Sequence, residues 1–370
     1  MNMATLQYEP DYVIHPGVTL EEVLEERAMS QADLARRTGL SEKHISQVIN
    51  GKASLSPDMA VRLEPVLGIR AATWNRLESG YQEARIRLRE RSLSEDESTW
   101  LAALPIRELQ KRGLLVDSKH KPTLLKAVRE FFRVSNQSAW GIVAPLYRQC
   151  AEVKVDRPAL ATWMEIVRRR ALSVNAATFG AIRFRELLLE IRSETASDRA
   201  DIGSWLEQRC AAVGVRVVFE PEITGARVSG AAFWLNESSP VIALSLRGKH
   251  DDQVWFSFFH EAGHVLLHGG NKDRQWIDLL DDAGDDKELQ ADQFARDLLI
   301  PPDRLPTLLR RTSLAELKSF ADDLGVSVGI VVGRWQRELG AFNKGNALKR
   351  EISFGEFDES RKRWNVVRSQ

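Results

Sequence analysis

The 370-residue sequence predicts a mainly α protein with one small β-sheet, an α+β chain of several domains. Three observations predict it. Apolar residues recur at helical spacing through most of the chain, with Ser before and Gly or Pro after the segments they define. Runs rich in β-branched and aromatic residues are confined to positions 215–246. Directly after them, an apolar helical segment carries two His one turn apart. A chain of this length typically folds as two or three domains, and 43% hydrophobic residues suffice for separate cores.

The N-terminal region reads as two short helices around a Gly turn. Ser30 and Ser41 are N-caps, Gly39 supplies the turn, and Leu34, Ala35, Leu40, Ile45, Val48 and Ile49 make a shared core. That is a helix-turn-helix, expected within a five-helix-type bundle. If the second helix spans Glu42–Ile49, then Glu42, Lys43, His44, Ser46 and Gln47 remain outside, with Asn50 just beyond. Residues of this kind read base edges in a major groove. Gln31, Arg36 and Arg37 on the first helix are candidates for phosphate contacts. The segment resembles XRE-type repressors. Through Ser56-Pro57-Asp58-Met59-Ala60-Val61-Arg62-Leu63 and Thr73-Trp74-Asn75-Arg76-Leu77 it more narrowly resembles HigA-like antitoxins. The resemblance implies sequence-specific binding of double-stranded DNA as a homodimer. Glu21, Glu22, Glu25 and Glu26 deny the region a broad basic footprint, so affinity would need two modules; a purely protein-contacting bundle is the other reading.

Residues 81–91 form an Arg-rich helix, read first as a solvated face and otherwise as a phosphate contact. Short helices are expected at 104–109, 123–132 and 157–170, separated by Pro and polar turns. Trp140, Trp163 and Phe179 read as core rather than a ligand cage. This helical middle region is a dimer face or a sensor module, with nothing to decide between them.

Strands are expected at 215–219, 227–235 and 241–246. Arg227-Val228-Ser229-Gly230-Ala231-Ala232-Phe233-Trp234 is the chosen edge strand, able to hold an extended peptide by backbone pairing.

His260-Glu261-Ala262-Gly263-His264 is the most informative stretch. Imidazoles at i and i+4 share one helical face and can bind Zn²⁺, and Glu261 is placed to take a proton from a water that the metal activates. Val254, Trp255, Phe256, Phe258, Phe259, Val265, Leu266 and Leu267 surround the trio, and polar groups in such a buried segment are costly unless something binds them. A catalytic zinc needs a third ligand. Glu288 is the best candidate, at the head of a second helix ended by Pro301-Pro302. Asp292, one turn on, would accept the free ring N–H of a ligating His.

HEAGHVLLHG followed by ELQADQFARDLLIP resembles the ImmA/IrrE group of zinc peptidase domains, over about residues 201–302. The resemblance implies a zincin-like peptidase fold with His260, His264 and Glu288 as ligands and Glu261 as general base. Family members usually carry Asn where this chain has Asp292, which still suits an acceptor role. His268 lies a further turn on. It would be an additional ligand, or, because Gly269-Gly270 leaves it at a frayed helix end, a substrate-cleft residue or neither. Arg227, His250 and His268 are candidates for the oxyanion. Asp278, Asp281, Asp282, Asp285 and Asp286 read as an acidic connecting loop.

Residues 308–339 predict a final helix pair, followed by a loose basic tail after Ala341. The expected organisation is 1–80 for DNA binding, 81–200 as helical middle, 201–302 as peptidase core, and 303–370 as C-terminal helices and tail. Net charge is zero, two cysteines are too few for a disulfide framework, and no apolar run reaches membrane-spanning length. A cytoplasmic protein with no membrane partner is expected. Joined, the motifs suggest a transcription regulator carrying its own zinc endopeptidase, which cuts a repressor or regulatory protein to relieve repression. The alternative is an antitoxin-like autorepressor that binds a toxin, its zinc fold a sensor or scaffold without turnover.

Overall fold

The computed structural model describes residues 14–90, 95–143, 155–269, 275–279 and 286–368. Backbone contacts divide the chain into two units. One ends at Ser98 and takes in His120–Pro122; the other comprises Thr99–Lys119 and everything from Thr123 on.

The first unit is a bundle of α1 (Pro16–Glu26), α2 (Gln31–Thr38), α3 (Glu42–Ile49), α4 (Pro57–Leu67) and α5 (Ala71–Glu90). Its helix starts are set by side chains that satisfy orphan backbone N–H groups. Ser30 accepts from Asp33, Ser41 from His44 and Ser56 from Met59, while His15 Nδ1 accepts from Gly17. Gly39 and Gly68 end α2 and α4 in the left-handed region, at φ 69° and 65°. Leu20, Leu34, Ile45, Val48, Met59, Leu63 and Trp74 are wholly buried around one core. The expected helix-turn-helix core is therefore present, with Leu40 only partly buried at its margin. α1 lies directly against the end of α3, since a Cβ on Gly17 would sit 2.1 Å from the Val48 carbonyl oxygen.

In the second unit, α6 (Glu95–Ala103, which crosses the division), α7 (Ile106–Lys111), α8 (Lys121–Phe132), α9 (Gln137–Val143), α10 (Arg157–Ser173), α11 (Ala181–Glu194) and α12 (Ile202–Ala212) precede the strands. Trp163 is wholly buried on α10 and Phe179 packs edge-on against Trp234, as core residues do. Arg112 and Arg170 reach the buried Glu220 carboxylate at 2.7 and 2.6 Å, which ties α7 and α10 to the end of the first strand.

The sheet holds β1 (Arg216–Phe219), β2 (Val228–Trp234), β3 (Pro240–Leu244) and β4 (Gln275–Leu279) in the order β1-β3-β2-β4. β1 runs parallel to β3, and β2 is antiparallel to both β3 and β4. Two expectations are corrected here. The strand from Val228 is not an edge, because β4 pairs with it from Phe233 to Val228. The physical reason is legible in its burial: Gly230, Ala231, Ala232 and Phe233 are buried in succession, so both faces are covered. Part of the segment expected as an acidic loop is β4 itself, and it includes Asp278; Asp281, Asp282 and Asp285 lie outside the described residues.

α13 (Asp251–His268) lies against β2 and β3, followed by α14 (Asp286–Leu299), α15 (Leu305–Leu309), α16 (Leu314–Leu324) and α17 (Val328–Leu339). Trp255, Phe258 and Phe259 of α13 are buried with Ile242 and Leu244 of the sheet and Phe320, Val331 and Val332 of the last helices. Each such aromatic contributes roughly 1.5–3 kcal/mol by burial, which anchors the helix that carries the polar trio.

The tail is not loose. β5 (Ile352–Asp358) and β6 (Arg363–Arg368) form an antiparallel hairpin, with Phe354 and Phe357 against the Trp364 ring and Val366 against Gly203 of α12. Alternating aromatic and β-branched residues, rather than net charge, decide its conformation.

Gly17→Ala is expected to cost the first unit about 1–3 kcal/mol, because backbone rather than a flexible side chain occupies the Cβ position. A urea melt followed by circular dichroism should show a lower midpoint; an unchanged one would mean that α1 can shift off α3 without loss.

Candidate metal centre and nucleic-acid interface

α13 divides its residues among three neighbours. Trp255, Phe258, Phe259 and Ala262, at i, i+3, i+4 and i+7, enter the core. His260, His264 and His268 turn toward α14. Glu261, wholly buried, turns toward β2.

The approach of α13 to α14 is close because neither helix offers a large side chain where they meet. A Cβ on Gly263 would lie 3.1 Å from Phe294 Cδ1 and 3.2 Å from Ala291 Cα, and Ala291 and Ala295 are fully buried. At that separation the carboxylates of Glu288 and Asp292, one turn apart, reach the imidazoles. Glu288 Oε2 is 3.0 Å from His260 Nε2, and Oε1 is 3.3 Å from His264 Nε2. The two Nε2 atoms are 3.0 Å apart. Asp292 Oδ1 lies 3.0 Å from His260 Nδ1 and also accepts from Arg296.

These separations test the fit of an ion. Two ring nitrogens at 3.0 Å cannot face each other as bare lone pairs, so a shared proton or a cation must lie between them. Donors bound tetrahedrally at zinc distances stand roughly 3.3 Å apart, close to the three spacings observed. Two imidazoles and one carboxylate, within 4.8 Å of one another throughout, are also the donor set of a catalytic zinc with one position left open.

The electrostatics agree. Burial lowers the pKa of His264 and keeps its ring neutral, as a metal donor must be. Burial alone would raise Glu288, but hydrogen bonds from His260 and His264 outweigh it and hold the carboxyl at about 2. Asp292 is likewise held below the usual carboxylate range, against the effect of burial, by the His260 hydrogen bond and the Arg296 charge.

Glu261 depends on Gly230, a residue that sequence reasoning did not single out. A Cβ there would lie 2.5 Å from Glu261 Oε1 and 3.1 Å from its Cδ, so the carboxylate occupies space that only glycine leaves. A glycine inside a strand often marks close approach of another group, which was the available signal.

His260, His264, Glu288 and Asp292 thus converge and Glu261 points from the same helix toward β2, whereas three other candidates do not join them. His268 is buried within the last turn of α13 rather than frayed, and its Nε2–H donates 3.1 Å to the Lys287 carbonyl, pinning the start of α14. Arg227 precedes β2 at φ 49° and does not line the cleft beside the metal-ligand group. His250 stands just before the far end of α13, about 15 Å along the helix from His260, and its side chain makes no capping hydrogen bond.

In the first unit, Glu42, Lys43 and Gln47 are exposed on α3, and His44 and Ser46 are half-buried. Asn50 donates 2.7 Å to the Ser46 carbonyl and caps the helix. Arg36 and Arg37 are exposed beside half-buried Gln31, and both pair with Asp33, at 3.3 and 2.8 Å.

Two regions of the chain match known protein families. Residues 20–74 match the helix-turn-helix family, and residues 210–336 match the IrrE N-terminal-like domain of peptidase family M78. An uncharacterized HTH-type transcriptional regulator of Escherichia coli K12, YddM, is 32% identical over 69 residues, which are 19% of this chain and 73% of that protein. Virulence-associated protein A of Dichelobacter nodosus is 30% identical over 74 residues, 20% of this chain and 72% of its own. Among solved structures, the Pseudomonas aeruginosa antitoxin HigA with the higBA promoter is 34% identical, covers 20% of this chain and 83% of that one, and has a TM-score of 0.20. Each of the three covers about a fifth of this chain. Among the described residues no helix is long and apolar enough to cross a membrane.

Gly263→Val is expected to prise α14 from α13 and carry Glu288 away from the imidazoles. Zinc retained after dialysis, measured by elemental analysis, should fall at least tenfold while the helical signal persists. Full retention would mean that the close crossing does not set the donor spacing.

Proposed function

We propose that this protein, which belongs to the helix-turn-helix regulators through residues 20–74 and to peptidase family M78 through residues 210–336, is a DNA-binding zinc endopeptidase that cuts a repressor or other regulatory protein and so relieves repression. The observation that carries the reading is the cluster of His260, His264 and Glu288 donor atoms at 3.0–3.3 Å, with a buried Glu261 on the same helix.

His260, His264 and Glu288 would hold the ion. Zinc, when bound, supplies Lewis acidity and lowers the pKa of water toward neutrality. Asp292 accepts the Nδ1–H of His260, which leaves Nε2 as that ring's donor atom and fixes its orientation. Glu261 takes the proton of the attacking water and returns it to the leaving amine. Gly230 keeps that carboxylate in place by offering no side chain of its own.

The DNA-binding half of the proposal is supported by the family of residues 20–74 and by the exposed stripe Glu42, Lys43 and Gln47 on α3. Arg36 and Arg37 share a single carboxylate, Asp33, so their charge is only partly neutralised and suits phosphates. A homodimer would supply the second module that this charge-balanced surface needs.

Zinc-loaded protein incubated with candidate repressors, and alone, should release a discrete fragment. Glu261→Gln should retain zinc yet cut at least a thousandfold more slowly. Wild-type protein that holds zinc, cuts nothing and forms a tight complex with a toxin would replace this reading with the antitoxin one. On duplexes selected from a random pool, Gln47→Ala is expected to weaken binding by about 1–3 kcal/mol at fixed salt. Equal affinity of the variant and wild type in a gel-shift titration would remove α3 from the interface.

A further inference from the structure

A cleft of about 1010 Å³ runs between α13, α14 and α17 and reaches His260 and Glu288. Its charged lining is unevenly committed. Arg247 pairs with Glu222 at 2.6 Å, Lys349 with Asp252 at 2.7 Å, and Arg296 with Asp292. Arg334 and Arg337 complete the basic lining.

They stand at i and i+3 on α17, with Ile330 and Gly333 on the same cleft-facing stripe. Arg334 pairs through Nε with Glu338 at 2.8 Å, and its side chain, 16% exposed, stands on the cleft wall. Arg337 is exposed, lies 5.9 Å from the centroid of the Phe256 ring and has no carboxylate within ion-pair reach among the described residues. It lines the same cleft as His260, Glu288 and Asp292.

We infer that Arg334 and Arg337 form a subsite for a carboxylate side chain of the peptide, so that the enzyme selects substrates with Asp or Glu close to the scissile bond. The inference rests on the peptidase reading above. A planar carboxylate matches the guanidinium fork. Phe256, Ile330 and Phe342 also line the cleft, and such apolar walls favour a peptide segment over a bare inorganic anion.

Two arms separate this inference from the reading it rests on. In the first, a mixed library of denatured-protein peptides is digested by the zinc-loaded full chain and the cut sites are read by mass spectrometry. Acidic residues should be enriched at one position within about three of the cut. Arg334→Gln/Arg337→Gln should lower cleavage of acidic peptides by about tenfold per arginine and leave neutral ones unchanged. In the second, zinc-loaded Glu261→Gln protein is bound to an array of random decapeptides, which needs no turnover. Acidic spots should dominate, and the double arginine variant should lose that preference. Exposed Arg337→Gln alone carries both comparisons if the double variant fails to fold. Absence of acidic enrichment, its persistence without the arginines, or an array that binds no peptide would overturn the subsite. Cleavage that Glu261→Gln leaves undiminished would overturn the peptidase reading instead.

Discussion

The near contact of α13 and α14 at Gly263 and Ala291 is the constraint on which the second unit's site depends. Donor atoms must stand about 3 Å apart to share one ion, and side chains of His and Glu cannot stretch to correct a misplaced helix. The backbones must therefore meet at small residues, as Gly263, Ala291 and Ala295 allow. Everything else around the site works to keep that crossing in place. Aromatic residues on the opposite face of α13 seat the helix against the sheet, and His268 fastens the first turn of α14 through the Lys287 carbonyl.

The other end of α13 is held by a similar device. Asp251 is buried and accepts from Ser327, from the Arg350 amide and from its own neighbour Asp252, while Gly329 and Gly333 leave room for both carboxylates. Acidic groups also suit the positive end of a helix. Small residues thus recur wherever α13 must bring a charged group close to another backbone: Gly230 for Glu261, Gly263 for Glu288 and Asp292, Gly329 and Gly333 for the N-terminal aspartates.

Much of this was legible in the sequence, and the reasons for what was not are physical. Spacings of three and four residues fix a helical face, so His260, His264, Glu288 and Asp292 could be placed on facing stripes without any knowledge of the fold. Caps are equally local, and Ser30, Gly39 and Ser41 mark the helix-turn-helix as expected. Strand neighbours are not local. Nothing in the alternation of Val228–Trp234 names β4 as its partner, although unbroken small residues were a sign of burial on both faces. The hairpin of β5 and β6 was hidden behind the charge of the tail, which concealed the apolar alternation of Ile352, Phe354, Val366 and Trp364. Roles that depend on a missing side chain, above all that of Gly230, emerge only when the atom opposite is known.

The most direct test of the account is a crystal of the zinc-loaded protein measured on both sides of the zinc absorption edge. A single anomalous peak bonded to the Nε2 atoms of His260 and His264 and a carboxylate oxygen of Glu288 is the expected result. A peak elsewhere, or none in protein shown to contain one zinc per chain, would contradict it.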